Sequence, residues 1–182
     1  MISASHNDEK WNALKLLNSN GEFLHPEEVQ KVIKETKRIQ SNKEKPGNLS
    51  SYANALDDHI NLILSQNFIN KNNIASKSIA VAVDGINSVG GVAIPKFLES
   101  LGIKKIKKIN CNPDGNFNHN PEPLPENITD LCSEVKRGKY QLGIVVDPDA
   151  DRLVLVDERG EPFGEEYTPV SYTHLRAHET VL

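Results

Sequence analysis

The apolar positions of this chain follow two regimes, a helical period in the first part and, from Ser78 onward, short apolar runs in alternation with helical ones. Between positions 25 and 40, Val29, Val32, Ile33 and Thr36 fall on one face. Pro26 stands at the first turn, Glu27 and Glu28 at the positive end, and Lys37 and Arg38 near the negative end, which together predict a helix. A second helix is expected in 52–68, where Tyr52, Leu56, Ile60, Ile63 and Leu64 recur at near-helical spacing. Before them, 12–23 reads as a short strand closed by the Asn20-Gly21 turn. Residues 41–51 read as a polar loop and 70–77 as a linker.

The later pattern predicts a strand at 78–84, a helix at 92–102 ended by Gly102, a strand at 103–110, a helix at 125–138 closed by Gly138, and a strand at 141–147. Strands and helices that alternate through short connections imply a parallel sheet with right-handed crossovers, whose ligands gather outside the carboxyl ends of the strands. The fold class expected is therefore α/β, with mixed or parallel sheets and flanking helices. A complete βαβαβ unit is expected over 74–160.

Composition narrows the function classes. A length of 182 residues with 37% hydrophobic and 25% charged residues suits a globular protein with its own core. No apolar run approaches the ~20 residues that span a bilayer, and nothing resembles a signal peptide, so a soluble cytoplasmic protein is expected. The net charge of -4 offers no footprint for nucleic acid, and Lys104, Lys105, Lys107 and Lys108 interleave with isoleucines, as on a strand with solvated lysines. Cys111 and Cys132 lack a metal-type pairing and read as reduced thiols.

The chemistry concentrates in 143–157, where Asp147, Asp149 and Asp151 alternate between apolar runs and Arg152 follows. Two carboxylates ~4 Å apart repel by roughly 4 kcal/mol at an effective dielectric of 20. They need a cation or a proton. In an extended loop, residues two apart point the same way, so all three could converge on one ion, and hard oxygens favour magnesium or calcium. A solvated acidic turn is the plain alternative. A calcium hand is disfavoured because Arg152 stands where its glycine is required and strands flank the loop. An aspartyl-phosphate phosphatase with Asp147 as nucleophile lacks the hydroxyl expected where Asp151 stands. The remaining reading makes the loop half of a site whose other half supplies a phosphate or a nucleophile.

That other half is found at the N-terminus, where Ser5, His6 and Asn7 precede a strand. "ISASHNDEKWNALK" followed far downstream by "DPDADR" resembles the α-D-phosphohexomutase family, whose members include phosphoglucomutases, phosphomannomutases and phosphoglucosamine mutases. The likeness extends through "AVAVDGINSVGG" and "NPDGNFNHNPEPLPEN" to Pro169. It implies a Mg2+-dependent isomerase that interconverts hexose 1- and 6-phosphates through a hexose bisphosphate. Ser5 would carry the phosphoryl group, Lys15 would move protons if the site lowers its pKa, and His6 would orient the serine loop. Arg152 would clamp phosphate. Asp147, Asp149 and Asp151 would hold magnesium together with the phosphorylated Ser5. The departures are Ser3 for threonine, Asp8 for proline, Ala13 for glycine and Pro148 for glycine.

The resemblance divides the chain into the end of a serine domain (1–73), a metal-loop domain (74–160) and the opening of a third domain (161–169). Residues 170–182 resemble a translated sequencing adapter, so the His174 and His178 pair, although spaced like zinc ligands, is declined as a metal site. Such a chain is expected to bind divalent metal weakly and not to sustain full mutase turnover. A Mg2+-dependent phosphatase and a noncatalytic divalent-ion or sugar-phosphate binding module are the alternatives. The glycines of 85–91 lack dinucleotide spacing and are expected to form a strand-to-helix turn, and His119 is expected to be a satisfied loop histidine.

Overall fold

The computed structural model describes residues 2–3, 5–8, 10–37, 47–164 and 167. The adapter-like segment with His174 and His178, and part of the polar loop expected at 41–51, lie outside the described residues.

A five-stranded sheet in the order β4-β3-β5-β6-β7 organises the second half of the chain. Its strands are β3 (Ala80–Asp84), β4 (Lys105–Ile109), β5 (Leu142–Val146), β6 (Leu153–Val156) and β7 (Pro162–Phe163). β3 pairs in parallel with both β4 and β5, whereas β6 runs antiparallel to β5 and β7 to β6. The sheet is thus mixed rather than parallel throughout. No helix separates β5 from β6; the acidic loop itself turns the chain back, and a reversal this short can only produce an antiparallel neighbour.

β3, between β4 and β5, is buried along its whole length, as its unbroken apolar run requires. Ala82 and Val145 face one core with Leu131 and Val135 of α5 (Thr129–Gly138). Val81, Val83 and Ile144 face the other, against Leu98 of α4 (Gly90–Ser100). Helices therefore cover both faces. Gly143 permits the close fit of α5, because a Cβ there would lie 2.8 Å from both Val135 Cγ2 and Val156 Cβ. β4 is the edge strand, and its exposed Lys105, Lys107 and Lys108 suit an edge that must not recruit another strand.

Among the differences from the sequence reading, two concern how segments pack on the sheet. The supposed linker at 70–77 contains a short helix, α3 (Lys71–Ser76). The Asn70 side chain caps it by accepting from the Asn73 N–H at 2.9 Å, and Ile74 packs against the α4-side core. α4 starts at Gly90, two positions before the expected 92, because Gly90 and Gly91 lie in its first turn at close quarters with β5 and the segment after β4. A Cβ on Gly90 would meet Val146 Cγ2 at 2.2 Å, and one on Gly91 would meet Cys111 Cα at 2.5 Å.

The first part of the chain is thinner. β1 (Ile2–Ser3) and β2 (Ala13–Leu14) form a two-stranded antiparallel ribbon, and an isolated bridge joins Leu17 to Phe23 around the Asn20-Gly21 turn. α1 (Pro26–Thr36) forms as its caps predict, with the His25 N–H donating to Glu28 at 2.9 Å, yet it buries no residue. α2 (Ala55–Leu64) does pack: Ile60 is buried, and Asp57 meets Lys96 of α4 at 2.6 Å. Cys111 and Cys132 are free thiols. Among the described residues, no helix is long and apolar enough to cross a membrane.

Candidate functional site

The acidic loop leaves the carboxyl end of β5, at the centre of the sheet. It is a tight turn, not the extended segment the alternating aspartates suggested: the Ala150 N–H donates to the Asp147 carbonyl at 2.9 Å, and Ala150 takes a left-handed φ of 59°. Convergence of the carboxylates comes from this reversal. One oxygen from each of Asp147, Asp149 and Asp151 lies within 4.8 Å of the others.

Asp147 is fully buried and is the loop's own anchor. Its Oδ1 accepts the N–H groups of Asp151 and Arg152, each at 3.0 Å. Ser88, from the turn before α4, grips the loop from behind by donating to the Pro148 carbonyl at 2.6 Å. What remains is chemically telling. Asp147 Oδ2 and Asp149 Oδ1 are buried with no hydrogen-bond partner. Buried carboxylate oxygens without partners are costly, and they are the atoms a hard cation would take up. The donor set fits a divalent ion such as magnesium or calcium: three carboxylates, no thiolate and no imidazole.

The electrostatics follow. Burial, together with the neighbouring Asp151 and Asp149 charges, pushes the Asp147 carboxyl up to about 6 against the hydrogen bond from the Arg152 backbone. For Asp149, burial acts in the same upward direction, but hydrogen bonds from Lys15 and Ser3 outweigh it and hold the carboxyl below the ordinary carboxylate range.

The ribbon at the N-terminus reaches this loop directly. Ser3, at the end of β1, donates its hydroxyl to Asp149 Oδ2. Lys15, just past β2, places Nζ 2.6 Å from Asp149 Oδ2 and 3.1 Å from Asp151 Oδ2. Those two carboxylates raise the Lys15 pKa, the opposite of the lowering considered from sequence. In this arrangement Lys15 is a firm ammonium that sits where cationic charge is wanted.

Ser5 stands one step back. Its N–H donates to Ser3 Oγ at 2.9 Å, and its own Oγ lies 3.2 Å from His6 Nδ1. Its φ of 53° is left-handed, which costs a non-glycine residue about 1–3 kcal/mol and is characteristic of functional turns. Ser3 was absent from the sequence-derived site and is buried at 7% exposure. The signal available was chemical type, since a hydroxyl at that position can cap the serine turn and touch the acidic loop together.

Arg152 pairs with Glu122 at 3.4 Å, and Glu122 lies on the long loop between β4 and α5. That loop and the serine segment form opposite walls of an open cavity of about 530 Å³, lined by His6, Asn7 and Trp11 on one side and by Phe117, His119 and Glu122 on the other. His119 is a satisfied loop histidine: Nε2 lies 3.1 Å from Oδ2 of the buried Asp84, and Nδ1 lies 2.8 Å from the Asn120 carbonyl. The turn at 85–91 is a strand-to-helix connection in which Ile86 and Asn87 both adopt positive φ, 47° and 48°.

A mixed α/β sheet with helices on both faces, carrying an acidic triplet with unpartnered buried carboxylate oxygens at the carboxyl end of β5 and a left-handed serine turn docked beside it, defines the class: an α/β protein with a candidate cation site next to a serine loop. Residues 57–160 match the description Phosphoglucomutase/phosphomannomutase, alpha/beta/alpha domain II, and residues 1–43 match domain I of the same family. The chain belongs to the phosphoglucomutase/phosphomannomutase family. It is 35% identical over 165 residues to a protein of Methanococcoides burtonii named probable phosphoglucosamine mutase, a match that covers 88% of this chain and 36% of the relative. To a phosphoglucomutase of Neisseria gonorrhoeae it is 31% identical over 165 residues, with 88% and 34% covered. A crystal structure of a phosphoglucomutase/phosphomannomutase family protein from Burkholderia thailandensis shares the fold, with a TM-score of 0.67, 24% identity, and 88% of this chain and 33% of that one covered. The chain therefore spans about a third of the length of the relatives it matches.

Proposed function

We propose that this chain contributes the serine loop and the metal loop of a Mg2+-dependent phosphohexomutase, an enzyme that interconverts a hexose 1-phosphate and a hexose 6-phosphate through a phosphoserine, in the cytoplasm. The observation that carries the reading is the docking of the Ser3–Lys15 ribbon on a loop whose buried carboxylate oxygens lack partners. In the division read from the sequence, that ribbon belongs to a serine domain over 1–73 and the acidic loop to a metal domain over 74–160.

Magnesium held by Asp147, Asp149 and Asp151 would supply the positive charge that offsets a phosphoryl group of ~-2 charge beside three carboxylates. The protein's own groups do the rest. Ser5 Oγ would carry the phosphoryl group, through which Ser5 would join Asp147, Asp149 and Asp151 in holding magnesium. The Oγ–P bond breaks as a hexose hydroxyl forms the new P–O bond. That hydroxyl gives up its proton as the serine oxygen takes one up; when the bisphosphate returns its other phosphoryl group, Ser5 Oγ loses the proton again and the hexose oxygen that is freed gains one. Ser3 fixes the serine turn by accepting from the Ser5 N–H while donating to Asp149. Lys15, held as an ammonium by Asp149 and Asp151, offers fixed positive charge beside the phosphoryl group rather than a readily transferred proton. His6 orients the Ser5 hydroxyl, and Arg152 offers a planar fork to phosphate oxygens. Because phosphoryl transfer depends chiefly on positioning and charge stabilisation, these few groups suffice.

The test is phosphopeptide mapping after incubation with a hexose bisphosphate and Mg2+. Acid-stable phosphate on Ser5 is the expected result. Acid-labile phosphate on Asp147 would convert the reading to a phosphatase, and unmodified protein that still binds metal would leave a noncatalytic binding module.

A further inference from the structure

We propose that Ser88 is a positioning residue for the acidic triplet: its hydroxyl fixes the peptide between Pro148 and Asp149, and so holds Asp149 in the turn that gathers the carboxylates. The inference rests on the proposed divalent-cation site and deepens it.

The acidic loop is a four-residue turn from Asp147 to Ala150, closed by the Ala150 N–H on the Asp147 carbonyl at 2.9 Å. Pro148 takes its second position and Asp149 its third. The proline ring locks φ at 148 but leaves ψ free, and rotation about ψ moves the Pro148 carbonyl and Asp149 together. Proline in that position suits both common turn types, which differ in the orientation of this one peptide. The alternative type needs a φ of about +80° at the third position, and Asp149 has no positive φ. The Ser88 hydroxyl donates to the Pro148 carbonyl at 2.6 Å. It therefore supplies the restraint that the proline ring lacks.

The remaining bonds of the loop act on other atoms. Asp147 Oδ1 gathers the N–H groups of Asp151 and Arg152, while Ser3 and Lys15 hold the Asp149 side chain through Oδ2. Asp149 is thus held by its backbone from the sheet side and by its side chain from the ribbon, which leaves Oδ1 as its unpartnered oxygen. Without a cation, three carboxylates with oxygens within 4.8 Å of one another repel, and that repulsion loads the turn.

Ser88 can resist the load because its own place is over-determined. Ile86 and Asn87, just before it, have positive φ values of 47° and 48°, a rarity for a β-branched residue and a form of strain typical of functional turns. Neighbours hold that strain: the Ile86 N–H donates to Asp84 Oδ1 at 3.0 Å and the Asn87 N–H to the Asn110 carbonyl at 2.6 Å. The Ser88 N–H donates to the Gly85 carbonyl, and the Ser88 carbonyl accepts from Gly91, both at 3.0 Å. The hydroxyl is presented from a rigid mount.

The test compares wild type, S88A and S88T as whole chains, by Mn2+ calorimetry and by amide hydrogen exchange of residues 147–152 in EDTA, with thermal melts to confirm folding. S88A is expected to bind Mn2+ roughly threefold to tenfold more weakly, the range one hydrogen bond can produce, and to exchange faster in the loop while β5 and β6 keep wild-type rates. S88T, which keeps the hydroxyl, is expected to restore both. Unchanged Mn2+ affinity in S88A, or unchanged loop exchange, would overturn the inference. So would an equal loss in S88A and S88T, which would assign the effect to packing rather than to the hydroxyl. A wild type that takes up no Mn2+ would sink the cation reading itself and the purpose assigned to Ser88, even where exchange still shows the turn restrained.

Discussion

Replacing Asp147 by asparagine should stabilise the metal-free protein while abolishing its response to metal. The wild-type carboxylate accepts two backbone N–H groups through Oδ1 but leaves Oδ2 buried, without a partner, beside Asp149 and Asp151. Asparagine retains the acceptor and puts an N–H2 where the orphaned oxygen stood, facing two carboxylates. The carboxyl is raised from 3.8 to about 6 in the folded state, chiefly by burial. For an acid raised on folding the penalty is absent below the unfolded value, grows as pH rises through the interval, and is complete above about 6. Two units at ~1.4 kcal/mol each set an upper bound of ~3 kcal/mol; allowing for solvent at the mouth of the loop, we expect ~2 kcal/mol at pH 7. For a chain of this length that is a rise of roughly 4–8 °C in Tm. The assay is thermal unfolding followed by circular dichroism in EDTA and in excess Mg2+, at pH 7 and pH 5. The wild type should gain stability from Mg2+ and D147N should not, and in EDTA the advantage of D147N should shrink at pH 5. If D147N is no more stable than the wild type in EDTA at pH 7, the orphaned carboxylate is not strained and the argument for a cation site loses its physical basis.

Other outcomes follow from the same geometry. His119 is raised above its ordinary value by the hydrogen bond to Asp84, helped by the Asn120 carbonyl and the Asp130 charge and opposed by burial. Its contribution to stability is therefore full below pH 6.5 and lost as pH climbs through the raised folded value, so H119N should flatten that part of a urea-stability profile. An H119N profile that keeps the wild-type slope would assign the pH dependence elsewhere. G91A should destabilise by about 3 kcal/mol in urea unfolding because its Cβ would strike the Cys111 backbone, whereas G47A, with nothing within 4 Å, should be neutral. K15M should tighten Mg2+ binding by roughly twofold to fivefold in calorimetry if Lys15 and the ion compete for Asp149 and Asp151, and weaker binding would show that Lys15 supports the site instead.

The elements of the sheet domain were legible because their signals are local. β3 is an unbroken apolar run, α5 has its apolar stripe and its basic last turn, and the acidic loop declares itself by charge. α3 was missed because a single turn with one apolar contact has almost no periodicity to read, and its stability comes from an asparagine cap and from Ile74 packing on the domain. The start of α4 was missed for a related reason: paired glycines argue against a helix locally, and only the approach of Val146 and Cys111 explains why glycine must stand there.

By itself the sequence determined which groups are chemically suited to the site: three hard carboxylates, a serine turn, a lysine and an arginine. It also determined the strand and helix alternation that puts a loop at the carboxyl end of β5. Only the tertiary structure decided how these groups are shared out. It joined Ser3 rather than Ser5 to Asp149, seated Lys15 as an ammonium between two carboxylates, reversed the chain so that β6 runs antiparallel, and set Glu122 against Arg152. The reason is that residue type and spacing set what a side chain can bind, whereas the partner it takes depends on contacts between segments 30 to 146 positions apart, whose energies compete within a few kilocalories.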